Sequence, residues 1–217
     1  MNETRQPLSR GRVVAAAVGL ADGSGLSAAT MRAVAGTLDV EAMSLYNHVR
    51  NREDLLDGMV DAVFAEIPVP ADPAAWRDAL REVAHQTRAA LQRHPWAIGM
   101  LDSRVTPGPA TLRRHDAVLG LLLEAGFSAS EAVRAVAVLD SYVYGSALTE
   151  KSLPVSGDRT VAEAAADLVS TVSESDYPHL VEVARARARD RSEDSYDAEF
   201  GFGLDLILDG LHPGSPS

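Results

Sequence analysis

The side chains best suited to chemistry in this chain cluster between residues 30 and 52, in the run TMRAVAGTLDVEAMSLYNHVRNR. Arg32, Arg50 and Arg52 are cations that suit phosphate oxygens. Tyr46 can place its hydroxyl on a phosphate while its ring packs on a helix. Asn47 can pair with adenine through two hydrogen bonds, Ala42 or Met43 can touch a thymine methyl, and Ser44 is a further base-facing candidate. His48 can contact a phosphate or a base, or form a local hydrogen bond at a helix end. Met31 and Arg32 would open a helix that crosses a nucleic-acid backbone. These residue types suit a duplex read through its major groove.

Such side chains need rigid elements beneath them. Met31, Val34, Ala35 and Leu38 recur at i, i+3, i+4 and i+7, which is one face of a helix. Asp39 falls where the chain must turn, and Asp tolerates the left-handed conformation better than most residues. Val40, Leu45 and Val49 restart the apolar pattern, so a recognition helix of about seven residues follows. Upstream, Ser9 is a candidate N-cap for a helix from Arg10 to about Asp22, with Val13, Val14, Ala17 and Leu20 as its stripe. Ser27 or Thr30 would cap the second helix. Three short helices bury little core alone. A fourth, opening at Asn51 with Asp54 in a capping-box-like position, supplies Leu55, Leu56, Met59, Val60, Val63 and Phe64 until Pro68 and Pro70 end it. Its start lies beside the reader and its end leads into the rest of the chain, as a lever between two sites would.

The run S44-L45-Y46-N47-H48-V49, then R50-N51-R52 and D54-L55-L56-D57, resembles the helix-turn-helix of the tetracycline-repressor family of transcription regulators. The resemblance extends upstream through T30-M31-R32 and Ala35 and returns in F200-G201-F202-G203-L204 through L211. It implies a sequence-specific regulator, most often a repressor released by a small-molecule effector, working as a homodimer on a palindromic double-stranded operator. Two recognition helices held about 34–36 Å apart would read successive turns of the duplex. The expected organisation is all-α. Residues 1–51 form the DNA-binding domain, helix 52–67 backs it, and 68–217 form an effector-binding and dimerisation domain. In many relatives an aromatic residue stands where Asn47 does, so no operator preference carries over.

The net charge of −11 argues against nucleic acid until its distribution is considered. Residues 1–52 hold six Arg against four acids, and the remaining positions hold 14 Lys plus Arg against 27 acids. An acidic body would repel DNA everywhere except at the basic end, which orients docking; solubility is the other reading of the acidity. There is no Cys, hence no disulfide or thiolate chemistry. No H-E-x-x-H, G-x-S-x-G or phosphate-binding loop occurs, so no enzyme and no catalytic residue is expected. The six His show no paired metal-ligand spacing, and no metal or cofactor is expected. The apolar runs are too short to span a bilayer and the N-terminus lacks a secretory pattern, so the expected location is cytoplasmic.

Beyond the Pro-rich linker P68-V69-P70-A71-D72-P73, apolar periodicity predicts helices over about 76–93, 96–101, 110–125, 130–149, 161–172, 180–191 and 200–211. Tyr177 is expected to fold inward. The resemblance implies an effector pocket, with Met59, Val63, His85, Arg88, Trp96, Met100, Arg104, His115, Leu119 and Tyr142 as candidate lining. A tetracycline–magnesium effector is disfavoured, because 100–107 reads MLDSRVTP and lacks the chelating His and the Thr-Arg-Pro turn of the tetracycline-responsive member. The resemblance also implies a four-helix dimer seam carrying Leu139, Val143, Ala147, Phe202, Leu206 and Ile207. A helical ligand-binding or scaffold protein that has lost DNA binding is the alternative, kept open by the acidic total and the six arginines of the reader.

Overall fold

The computed structural model describes residues 7–70, 72–100, 107–152, 161–189 and 195–214, and every regular element among them is helical. The N-terminal set is α1 (Arg10–Ser24), α2 (Met31–Leu38), α3 (Ala42–Leu45) and α4 (Arg52–Ala65). The remainder is α5 (Trp76–Arg93), α6 (Pro95–Ile98), α7 (Pro109–Glu124), α8 (Ala129–Ser152), α9 (Val161–Thr171), α10 (Pro178–Arg189) and α11 (Ser195–Gly210). No helix among the described residues is long and apolar enough to cross a membrane.

Local chemistry sets the helix ends. Ser9 accepts from the Arg12 N–H, Thr30 from the Ala33 N–H and Asn51 from the Asp54 N–H, each quenching a donor that the first turn leaves unpaired. Asp39 takes the left-handed conformation at φ 52°, ψ 52°, and its N–H closes α2 on the carbonyls of Ala35 and Gly36. Ser128 and Glu131 form a reciprocal capping box at the start of α8, with the Ser128 N–H donating to the Glu131 carboxylate at 2.8 Å. Of Ser27 and Thr30, Thr30 is thus the cap that the second helix uses.

The recognition helix is shorter than the seven residues expected. After Leu45 the chain tightens, with the N–H groups of Tyr46, Asn47 and His48 bonding three residues back. Such 3-10 bonds wind the last turn more narrowly. Helix α11, by contrast, starts five residues before its expected first residue, with Asp197 of its first turn paired to Arg88 of α5 at 2.5 Å. Tyr177 is 58% exposed and does not fold inward.

Among the described residues, two apolar cores run through the molecule. The first joins Val13, Ala17, Val34, Leu45, Val49, Leu55 and Met59 to Leu91, Trp96, Met100 and Ala147. The N-terminal helices are therefore completed by α5, α6 and α8 as well as by α4. The second gathers α5, α7, α8 and α11 around Leu80, Val83, Leu122, Leu139, Val143, Leu204 and Leu208. A polar knot ties the ends of α1 and α4 to α5 and α6. The buried His94 ring lies 2.8 Å from Asp22 and 3.2 Å from Glu66, and the Trp96 indole donates to Asp22 at 2.7 Å.

Candidate functional site

The face of α3 and its trailing turn carries the residues the sequence marked. Met43 is 75% exposed and Tyr46 47%, and Arg32, Asn47, Arg50 and Arg52 are exposed as well. Ala42, Ser44 and His48 are half-buried beside them. Met43 and Tyr46 thus offer apolar contact area beside the polar groups of this face. Met31 is half-buried too, and it and Ala42 pack partly against the first core.

What holds this face is a residue pair that sequence reasoning missed. Arg10 of α1 donates to both carboxylate oxygens of Asp54, at 3.0 and 2.9 Å, and to the backbone carbonyls of Asp54 and His48. One guanidinium thereby fixes α1, the end of the recognition turn and the start of α4. The Asp54 carboxylate also receives the Arg50 N–H at 2.8 Å, one residue earlier than a capping box would bond. The hydrogen bonds from Arg10 first, then those from Arg50, hold the Asp54 carboxyl well below the usual carboxylate range, against the opposing effect of burial. Close packing shares the work: a Cβ on Gly58 of α4 would lie 2.9 Å from Val14 Cγ2 of α1. Only Gly allows this approach.

Helix α4 is bound equally firmly at its other half. The Asp61 carboxylate accepts from the N–H groups of Ala110 and Thr111 at 3.1 and 2.8 Å, and from the Thr111 hydroxyl at 3.1 Å. It caps α7 from outside, using the donors and dipole of that helix's first turn. Three residues on, the Phe64 ring lies under the Arg114 guanidinium of α7, 5.4 Å away.

The residues expected to line one pocket are dispersed. Met59, Val63, Trp96 and Met100 belong to the first core, which fills the space between them. His85 is exposed and meets the Phe200 ring edge-on at 5.2 Å. Arg88 is buried but committed, to Glu150 at 2.7 Å and Asp197 at 2.5 Å. Leu119 is half-buried against the second core, and His115 sits at its helix surface beside Asp140. Arg104, and with it the stretch 101–106 that disfavours tetracycline–magnesium, lies outside the described residues. A recess of about 420 Å³ opens between α8 and the start of α11, lined by Tyr142, Glu150, Tyr196, Glu199, Phe200 and the small residues of α8; among the described residues of the expected lining it includes Tyr142 alone. The Tyr142 hydroxyl donates to the Phe200 carbonyl at 2.8 Å and its ring stacks on Phe200 at 5.3 Å.

The expected dimer residues also divide. Leu139, Val143 and Ala147 are 4, 2 and 3% exposed, and they pack into this chain's own cores, so they are not free for a second copy. Ile207 packs partly on the second core. Phe202 and Leu206 stand out at 69 and 62%, joined by Val138 and Leu148 of α8 at 50 and 53%. Leu148 stands on the helix expected to carry the seam, while Val138 was missed because the residues that continue its stripe, Ser141 and Gly145, are not apolar.

A further interior polar cluster surrounds Arg114 of α7. Arg114, 7% exposed, sits on the apolar face of α7 with Ala110, Val118, Leu121 and Leu122. That placement was the available signal, since a cation at a core position must find partners inside. It donates to the Thr87 hydroxyl at 3.1 Å, while Asp140 stands 3.8 Å off.

A braced helix-turn-helix presenting an exposed polar face, backed by a larger helical domain with interior polar chemistry, defines a DNA-binding regulator with a separate sensing part. A family model described as the tetracyclin repressor-like C-terminal domain matches residues 69–213. The chain is 35% identical to an HTH-type transcriptional repressor, DrrR1, of Streptomyces coeruleorubidus, over 94% of this chain and 77% of that one. It is 33% identical to the class A tetracycline repressor protein of Escherichia coli, over 92% and 88%. Among solved structures, ActR of Streptomyces coelicolor in complex with actinorhodin superposes with a TM-score of 0.77 at 29% identity, covering 94% of this chain and 97% of that one. The chain belongs to the tetracycline-repressor family of transcriptional regulators.

Proposed function

We propose that two copies of this chain bind a palindromic operator as a repressor, and that a small molecule held in the C-terminal domain releases them. The relatives support the direction: one is a named repressor, and ActR has been crystallised with actinorhodin bound. The observation that carries the mechanism is the double attachment of α4. Its start is clamped to the reader through Asp54 and Arg10, and its second half caps α7 through Asp61. A shift of α7 is therefore passed to the reader as a tilt of α4. The two recognition turns then sit at the wrong separation, and DNA affinity falls by the difference in effector affinity between the two states.

The second copy would seat on the face carrying Val138, Leu148, Phe202 and Leu206. A gel-shift titration with duplex from the region flanking its own gene tests the reading. Specific binding that weakens as salt rises supports it, and equal affinity for operator and random duplex at every salt concentration sinks it. Sedimentation of Phe202→Glu should show monomer where the parent chain shows dimer.

A further inference from the structure

Among the described residues from 7 to 61, every carboxylate but one has a partner. Asp22 meets His94 and Trp96, Asp54 meets Arg10, and Asp61 caps α7. Asp39, Glu53 and Asp57 are engaged as well. The exception is Glu41. It is exposed, it stands immediately before α3 as its N-cap residue, and its side chain makes no cap hydrogen bond. The turn at Asp39 thus delivers a bare carboxylate to the entry of the recognition helix. In a helix-turn-helix, that end of the helix approaches the base edges.

Toward DNA in general such a charge is a liability. Phosphates repel it, and it works against the exposed cations Arg32, Arg50 and Arg52. It gains only where it meets a donor, and the major groove offers two, the N4 amine of cytosine and the N6 amine of adenine. Adenine sets its amine beside the N7 acceptor, which suits an amide such as Asn47 and repels a carboxylate. Cytosine carries no acceptor on its own groove edge. We infer that Glu41 determines specificity by reading a cytosine in each operator half-site, its carboxylate accepting from the N4 amine. This rests on the operator binding proposed above. The same charge penalises duplexes that lack the cytosine, so it selects by repulsion as well as by attraction. A negative charge at a helix start also favours the helix dipole. With α3 only four residues long, that role is small, and it predicts a melting loss with base preference unchanged.

The test enriches duplexes from a randomised pool with the full chain, Glu41→Ala and Glu41→Gln, then titrates each enriched site by fluorescence anisotropy. The parent chain should enrich a palindrome with cytosine fixed at one position of each half-site. Glu41→Ala should accept any base there and keep the rest of the site, losing about tenfold in preference for cytosine while binding random duplex more tightly. Glu41→Gln should move that position to adenine, which an amide bonds at N6 and N7. N4-methylcytosine at the same position removes the donor alone, because its remaining N4 hydrogen pairs with guanine. The parent chain should bind the methylated site about tenfold more weakly, and Glu41→Ala should bind both forms equally. If Glu41→Ala does not fold, Glu41→Gln and the methylated duplex decide. The same cytosine enriched by the parent chain and Glu41→Ala, a relaxed position that is not cytosine, or full affinity of the parent chain for the methylated site overturns the assignment and leaves the regulator standing. A parent chain that enriches no site overturns both.

Discussion

Two carboxylates, one in each half of the molecule, divide its labour. Asp54 in the reader is fully met, with both oxygens bonded to Arg10 and one also to a backbone N–H. Asp140 in the body faces Arg114 and His115 across gaps of 3.8 Å. Their acidities part accordingly. Hydrogen bonds from Arg10 push the Asp54 carboxyl down, whereas burial pushes Asp140 up, against the attraction of Arg114 and His115. A complete ion pair fixes geometry, as a surface that must match DNA at fixed spacing requires. An incomplete one leaves its groups outside hydrogen-bond reach of each other.

The sharpest way to break that contrast is Asp54→Ala. Arg10 is about half exposed, so the loss falls below the roughly 3–5 kcal/mol of a deeply buried pair, at about 2–3 kcal/mol. Thermal melting should drop by roughly 4–10 °C and operator affinity should fall with it. The folded pKa of Asp54 is lowered, so its stabilisation is present above the ordinary carboxylate pKa. It disappears as pH falls toward the depressed folded value. The difference between parent and variant should therefore shrink in acid, as pH-dependent denaturant melts will show.

Tyr46→Ala and Arg52→Ala address the outward side of the same element. Each should cost about 1–2 kcal/mol of binding to all duplexes, with melting unchanged, and Arg52→Ala should flatten the salt dependence by about one phosphate. Asn47→Ala should instead lose discrimination at one base pair, by about 1 kcal/mol in competition gel shifts. Asn51→Ala removes only an N-cap, for about 1 kcal/mol and a melting loss of roughly 2–4 °C.

The smallest effect belongs to Asp140→Asn, within about 0.5 kcal/mol of the parent at neutral pH. Because the folded pKa of Asp140 is raised, its favourable contribution is complete below the ordinary carboxylate pKa and is lost as pH rises through the folded value. The amide does not titrate, so the variant should gain on the parent chain over that rise. A loss like that of Asp54→Ala would erase the distinction between the two carboxylates.

What was legible in the sequence was local. Ser9, Thr30, Asp39 and Asn51 act within four residues of themselves, and their types announce what they do. The exposed face of α3 was legible for the same reason. Arg10–Asp54 spans 44 positions and Arg88–Asp197 spans 109, and neither leaves a trace in periodicity. Leu139, Val143 and Ala147 were misassigned because a buried stripe looks alike whether its cover is this chain or a second one. Arg114 could have been found, as a cation on an apolar stripe, but its partners could not.

The most direct measurement is fluorescence anisotropy of a labelled duplex from the region flanking its own gene, titrated with the full chain at several salt concentrations. Arg32, Arg50 and Arg52 are exposed on each copy. Paired in a dimer, they should give a logarithmic salt slope on the order of −5, with random duplex bound at least a thousandfold more weakly, on the order seen for specific sites. A slope near zero, or the same affinity for both duplexes, would contradict it.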